Sequence, residues 1–169
     1  AEISQQGYNA FVLTYRTGQG GTVATRDLAR AISTIFERAD ELDVATDGYS
    51  LWGSSAGARM AAAIGSHGTQ AFGGDDLPRP ATVVMAYTGH ADHTAQEPPT
   101  FVVVGSRDRI SPPSRMEARI AALRSMGVEV EYHRYDELGH GFGTGTGTTA
   151  EGWIGDAVRF WKRAIDAGP

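Results

Sequence analysis

The chain has 169 residues, 41% of them hydrophobic and 21% charged, the make-up of one globular domain with a sizeable core. Its formal net charge of −5, with no Lys/Arg cluster, excludes nucleic acid and an anionic membrane surface as main partners. With no Cys there is no disulfide framework, no thiolate nucleophile and no Cys-based metal site.

Taken in chain order, Ala1 to Gln6 closed by Gly7 reads as the last turns of a helix with a glycine C-cap. Tyr8–Arg16 follows as a buried strand, and Gly18-Gln19-Gly20-Gly21 as a loop. Leu28, Ala31, Ile32, Ile35, Ala39 and Leu42 recur at helical spacing, which predicts one amphipathic helix from about Thr25 to Leu42. Tyr49–Trp52 is a short strand, and Ala58–Ile64 opens a helix that fades near Gly65. Gly73–Pro80 is a loop, Ala81–Tyr87 a third strand and Thr100–Gly105 a fourth. A helix from about Pro113 to Met126 leads to Val128–Tyr135, which alternates like an edge strand. The closing helix carries Ile154, Ala157, Val158, Trp161 and Ile165 on one face. Strands alternating with helices at these lengths predict an α/β fold with a mainly parallel sheet flanked by helices. In such sheets function gathers at the carboxyl ends of the strands.

Gly53-Ser54-Ser55-Ala56-Gly57 stands at one of those ends, between a strand and a strong helix former. A Ser at the apex of so sharp a turn projects its hydroxyl out of the fold, and its neighbours two before and two after must be nearly free of side chain. Ser55 has Gly53 and Gly57 at those positions, whereas Ser54 has Trp52 and Ala56, so Ser55 is the candidate nucleophile. After the fourth strand comes Asp108, in Gly105-Ser106-Arg107-Asp108, and after the fifth comes His140, bracketed by Gly139 and Gly141. Nucleophile, acid and base thus follow separate strands on one sheet edge. A serine hydroxyl needs a base to take its proton, the role open to His140, while Asp108 would fix the imidazole tautomer.

These segments resemble the α/β-hydrolase superfamily over essentially the whole chain, most closely an esterase/lipase branch that includes acetyl xylan esterase-like enzymes. The matching residues are Gly7–Arg16, the Gly53-to-Gly57 elbow, Asp108 followed by Pro112-Pro113, and Gly139-His140-Gly141-Phe142. The resemblance implies catalytic roles for Ser55, Asp108 and His140, and an oxyanion contact from the backbone N–H of Ala56. It also implies further strands, a Gly-rich oxyanion loop and a helix ahead of Tyr8–Arg16, one of those strands lying between Tyr8–Arg16 and the strand before Ser55. On that reading residues 1–169 are a single hydrolase domain truncated at its N-terminus, about the C-terminal two-thirds of the fold. A second copy, another chain, or N-terminal residues not included in this sequence are expected to complete the sheet. Lacking a second oxyanion donor, the chain alone is expected to turn over about 10² to 10³ more slowly than an intact domain.

Tyr87 and His90, following the third strand, are expected to line the substrate pocket. Asp92 is the alternative acid, Asp136 is read as structural, and His67 and His133 have no partner the sequence names. His90-Ala91-Asp92-His93 holds good metal ligands, but adjacent loop positions rarely converge on one ion, so no metal is expected. Gly141–Thr149 lacks the Lys and the strand-to-helix setting of a phosphate loop and reads as a rim or lid beside His140. Apolar runs such as Phe101–Val104 are too short to span a bilayer. The N-terminal Ala1-Glu2-Ile3-Ser4 lacks both a signal-peptide pattern and an initiator Met, so the compartment stays open, with the cytoplasm favoured. The leading expectation is a cofactor-free serine hydrolase of small carboxylic esters. The alternatives are a peptidase, thioesterase or dienelactone-type hydrolase, or a catalytically silent fragment or binding module on the same scaffold.

Overall fold

Thr82-Val83-Val84-Met85-Ala86 and Thr100-Phe101-Val102-Val103-Val104-Gly105 are apolar at nearly every position, the pattern of strands covered on both faces. In the computed structural model, which describes residues 2–168, they form β2 (Thr82–Ala86) and β3 (Thr100–Gly105), and every residue of both is buried. β1 (Ser50–Ser54) and β4 (Val130–Tyr135), partly exposed, flank them, giving a four-stranded parallel sheet in the order β1-β2-β3-β4.

Alternation along the strands sends side chains to two core layers. On one face Leu51, Val83, Met85, Val102 and Val104 pack against α2 (Gly21–Glu37), α4 (Ala56–His67) and α5 (Pro113–Ser125). On the other, Val84, Ala86, Phe101 and Val103 meet Trp153, Ala157 and Phe160 of α6 (Trp153–Ala167). Two short helices, α1 (Glu2–Gln5) and α3 (Ala39–Leu42), and a 3-10 turn at Gln70–Phe72 complete the elements.

Several expectations need correction. Tyr8–Arg16 is not a strand, and it pairs with no strand. An extended run becomes sheet only when its N–H and C=O groups find a neighbour. Here Phe11 is 52% exposed and Val12 95%, so the apolar run is left facing outward. The long helix starts at Gly21 rather than Thr25, and its path breaks at Arg38 (φ −105, ψ 19) into α2 and α3. On α6 the buried residues are Trp153, Ala157, Val158 and Phe160, while Ile165 is 41% exposed. Trp161 works differently from a core residue: its Nε1 donates to the Gly48 carbonyl at 2.6 Å and its ring stacks on Tyr8 at 4.5 Å. The N-terminal helix spans Glu2–Gln5, with Ala1 outside the described residues.

The outer edge of β1 is open. Ser55 N donates to the Ala86 carbonyl at 2.9 Å, so alternation turns the Leu51 and Gly53 groups toward β2 and those of Ser50, Trp52 and Ser54 away from it. Tyr8–Arg16 is pinned at one end by Tyr8 on Trp161 of α6 and at the other by Arg16 on Asp27 of α2, with its Nη2 at 2.6 Å.

No helix separates β2 from β3, and the long connection is held from within by a buried ion pair. Arg119 Nη2 donates to Glu97 Oε2 at 3.0 Å, with both side chains 1% exposed. Ser66 Oγ at 2.5 Å and Thr94 N at 2.8 Å donate to the other carboxylate oxygen, and Arg119 Nε reaches the Asp92 carbonyl at 3.0 Å. Burial lowers the Arg119 pKa, against the opposing pull of Glu97. Such a pair adds little over an apolar replacement, but losing one member leaves a bare charge in the core. Arg119→Met is therefore expected to cost about 3–5 kcal/mol in urea unfolding, and adding Glu97→Leu to recover part of that loss. A cost under about 1 kcal/mol for the single change would remove the pair from this role.

Candidate functional site

β1 ends in a turn that forces Ser55 to φ 50, ψ −114, a conformation costly for a residue with a Cβ, and α4 starts at Ala56 directly after it. Its geometry explains one glycine and not the other. A Cβ on Gly53 would run into the backbone of Gly57 and Ala58, whereas a Cβ on Gly57 meets nothing within 4 Å and its φ is ordinary. The side-chain-free requirement therefore holds two residues before Ser55 and not two after.

The three residues picked from the sequence converge. His140 Nε2 lies 2.9 Å from Ser55 Oγ, and His140 Nδ1 lies 2.8 Å from Asp108 Oδ2. Asp108 is 3% exposed, and its other oxygen accepts from the N–H groups of Ile110 at 2.9 Å and Ser111 at 2.8 Å. One carboxylate thus shapes the turn ahead of α5 and faces the imidazole, which fixes its direction. The approach of the His140 loop depends on Gly105. A Cβ there would collide with the carbonyls of Leu138 and Gly139, while Arg107 N and Ser106 N bind the Leu138 and Tyr135 carbonyls, both at 2.8 Å. Gly139 has open space around it, so the close approach that the glycines near His140 suggested is made from β3 instead.

Tyr87, also at positive φ (39), is buried behind the imidazole: its ring meets His140 edge-on at 5.2 Å and Phe142 at 4.8 Å. His90 is half-buried, and its Nε2 is enclosed without a hydrogen-bond partner. Burial first, then the charge of Arg119, lowers its pKa, so the ring is neutral at pH 7. A cavity of about 180 Å³ lies beside the elbow, between Ala56 and Arg59 on one side and Tyr15, Gly20 and Gly21 on the other. A larger hollow of about 470 Å³ over Arg26, Arg30 and Phe72 contains none of the three convergent residues.

The remaining candidates sort themselves by partner. Asp92 pairs with His67 at 2.7 Å rather than with His140, and the pairing lowers its pKa. His133 pairs with Glu131 at 2.9 Å, and the Asp136 carbonyl accepts from Thr149 Oγ1 at 3.0 Å. Among the described residues no three His, Cys, Asp or Glu side chains gather as a metal site would require. Gly141–Thr149 is tied to the start of α6, with Trp153 Nε1 on the Gly143 carbonyl at 2.9 Å and Gly147 N on Glu151 at 2.9 Å. No described helix is long and apolar enough to cross a membrane.

Comparison with known proteins agrees with this architecture. The model of the prolyl oligopeptidase family matches residues 76–168, a stretch that contains Asp108 and His140 and makes up more than half of the chain. The chain belongs to the prolyl oligopeptidase family. Its fold is that of the α/β-hydrolases, as three solved structures show. MGS-M1, an α/β hydrolase from a Medee basin deep-sea metagenome library, is 23% identical with a TM-score of 0.83, over 97% of this chain and 74% of that one. An acetyl ester-xyloside bifunctional hydrolase from Caldicellulosiruptor lactoaceticus is 20% identical with a TM-score of 0.76, over 91% and 71%. The esterase Est2 from Thermogutta terrifontis is 17% identical with a TM-score of 0.73, over 92% and 69%. No curated protein matches the chain. The family match begins after Ser55, so the elbow rests on its local geometry and on the structural likeness.

Sequence reasoning missed two features of the site. The role of Gly105 was hidden because its neighbour, the Leu138 carbonyl, comes from the next strand's loop. The buried Arg119–Glu97 pair under the Tyr87–Pro99 connection left no local pattern. The elbow geometry itself is testable. Gly53→Ala is expected to destabilise the fold by about 1–3 kcal/mol through overpacking. Gly57→Ala is expected to be neutral or to stabilise by about 0.4–1 kcal/mol. Thermal unfolding of the two variants checks this, and equal losses would contradict the asymmetry.

Proposed function

We propose that the chain is a serine hydrolase that cleaves a carboxylic ester through an acyl-enzyme, with Ser55 as nucleophile, His140 as general base and acid, and Asp108 as its orienting carboxylate. The observation that carries this reading is the continuous contact from Ser55 Oγ through both nitrogens of His140 to the buried Asp108. With Nδ1–H donated to Asp108, Nε2 is the free acceptor for the serine proton as Oγ attacks the substrate carbonyl. The resulting oxyanion lies at the N-terminus of α4, where the Ala56 N–H is the donor at hand. The imidazolium then gives its proton to the departing alcohol, leaving the acyl group on Ser55, and a water activated by His140 releases the acid. Every group in this cycle belongs to the chain, so the reaction calls for no cofactor. Tyr87, buried against His140, acts in this reading by holding the ring, and His90 offers an unpartnered nitrogen to a substrate.

Esters are preferred over peptides because solved structures of the same fold include an acetyl ester hydrolase and an esterase. The family's name favours a peptide bond as the second reading. Turnover of p-nitrophenyl acetate against an acyl-proline p-nitroanilide distinguishes them. Ser55→Ala and His140→Ala are each expected to lower p-nitrophenyl acetate kcat by at least about 10³, and Asp108→Asn by about 10³ to 10⁴. Ser54→Ala is expected to keep at least about a tenth, since Ser54 lies outside the relay. A fluorophosphonate adduct on the Ser55→Ala chain would overturn the assignment, and a wild-type chain that neither turns over nor labels would be the silent scaffold.

We further propose that a second copy of the chain pairs with the open edge of β1. Outward N–H and C=O groups of Ser50, Trp52 and Ser54 form a template for an extended segment, and the exposed Phe11 and Val12 offer apolar surface to it. Sedimentation is expected to show a dimer that Phe11→Lys with Val12→Lys shifts to monomer. A monomer at all concentrations would refute it.

A further inference from the structure

Charge is unevenly matched around the proposed nucleophile. The chain carries net charge −5, yet several carboxylates around this sheet edge are already engaged: Asp108 with His140, Asp92 with His67, Glu97 with Arg119. Half of the fourteen guanidinium groups likewise have an acidic partner, as Arg16 does in Asp27 and Arg107 in Glu137. Of those with none among the described residues, Arg59 and Arg115 lie at this edge, in the first turns of α4 and α5, and Arg109 follows Asp108 in the loop after β3.

Arg59 is one helical turn beyond the nucleophile, its N–H bound to the Ser55 carbonyl at 3.3 Å. Its guanidinium lies over Gly21, close enough that a Cβ there would collide with it, and walls the cavity beside Ala56. The position is specific. In the proposed cycle the substrate carbonyl sits between Ser55 Oγ and Ala56 N–H, with His140 on the leaving-group side. Arg59 lies on the α4 side, at the cavity beside Ala56, which is space open to an acyl chain. Arg115 lies along Gly89, with Cδ 3.3 Å from where a Cβ would be, and Gly89 follows the Tyr87 ring that backs His140. The same loop presents His90, whose Nε2 is enclosed and unpartnered.

We infer that the site selects esters whose acyl chain ends in a carboxylate, bound by the Arg59 guanidinium within a field to which Arg115 adds. The inference rests on the esterase reading above. A guanidinium matches a carboxylate with two parallel N–H donors, which gives geometry as well as attraction. A negatively charged protein that leaves unpaired cations at this edge repels polyanions at long range and still attracts a small anion at short range, because exposed charges beyond roughly 8–10 Å are screened.

The test uses the whole chain and two substrates with one leaving group, p-nitrophenyl butyrate and mono-p-nitrophenyl succinate, each corrected for its own hydrolysis in buffer. The expected kcat/KM ratio of succinate to butyrate is about tenfold at low salt, which is on the scale of a charge-assisted bidentate contact. The ratio is expected to fall toward about one in Arg59→Gln, to fall less in Arg59→Lys and Arg115→Gln, and to shrink as salt is raised. Butyrate favoured over succinate, or a ratio unchanged in Arg59→Gln, would overturn the inference while leaving the esterase reading intact. Hydrolysis of neither would overturn the esterase reading instead, and the Ser55→Ala chain then decides the anion site by nuclear magnetic resonance titration. Binding of monomethyl succinate but not methyl butyrate, lost on adding Arg59→Gln, supports the site; equal or absent binding refutes it.

Discussion

Everything at the candidate site depends on holding one residue where it would not sit by itself. Ser55 at φ 50, ψ −114 carries backbone strain of roughly 1–3 kcal/mol, and a strained apex persists only if its surroundings leave no alternative. Here they fix it from both sides. Its N–H is bound to the Ala86 carbonyl at the end of the fully buried β2, and its carbonyl accepts the N–H of Arg59 in α4. Gly53 lets the helix backbone close over the strand, so the turn cannot open without withdrawing α4 from the sheet. The hydroxyl is therefore aimed by the core, and His140 reaches it because Gly105 lets a second loop come down onto β3.

The parts legible in the sequence are those governed by short-range rules. Thr100–Gly105 is a strand with the bounds its composition indicates, and β4 is an edge strand as its alternation implies. The motif around Ser55 singles out the residue that meets His140, and strand order indicates which Asp and His stand near it. What escaped needs information from elsewhere in the fold. Tyr8–Arg16 has the composition of a strand, but pairing belongs to two segments, and this one has no strand beside it. The apolar face of α6 was misjudged by the weight given to Ile165 and Trp161, since period alone does not say that a Trp will turn its N–H to the Gly48 carbonyl. Gly53 and Gly57 look equivalent in the motif, and only the direction in which α4 leaves the turn separates them.

Electrostatics shows the same difference between global and local. A net charge of −5 describes the far field. It says nothing of how charges are distributed over a few ångströms. Most of the chain's acidic groups near the site are consumed in pairs that build it, with Asp108 orienting His140 and Glu97 holding Arg119 under the Tyr87–Pro99 connection. Each such pairing removes a carboxylate that would otherwise neutralise a neighbouring cation.

Backbone strain marks the same edge independently of charge. Of the four non-glycine residues at positive φ, Ser55, Tyr87 and Glu137 each lie just beyond the carboxyl end of a strand, namely β1, β2 and β4, and only Asp43 lies elsewhere. Chance placement would scatter such residues over loops at both ends of the sheet, so their grouping calls for a cause at this edge. At β3, the strand without one, the corresponding accommodation is Gly105, where another chain segment approaches too closely for a side chain. Each strand therefore ends in a departure from easy geometry, and each departure brings a side chain inward: Ser55 itself, the Tyr87 ring behind His140, and the loops that carry Asp108 and His140. The stability of the buried strands β2 and β3 is what sustains these strained ends, because the backbone there is too well packed to relax them. A parallel sheet gathers its strand ends on one side, and this chain concentrates its strain and the Ser55–His140–Asp108 contacts there.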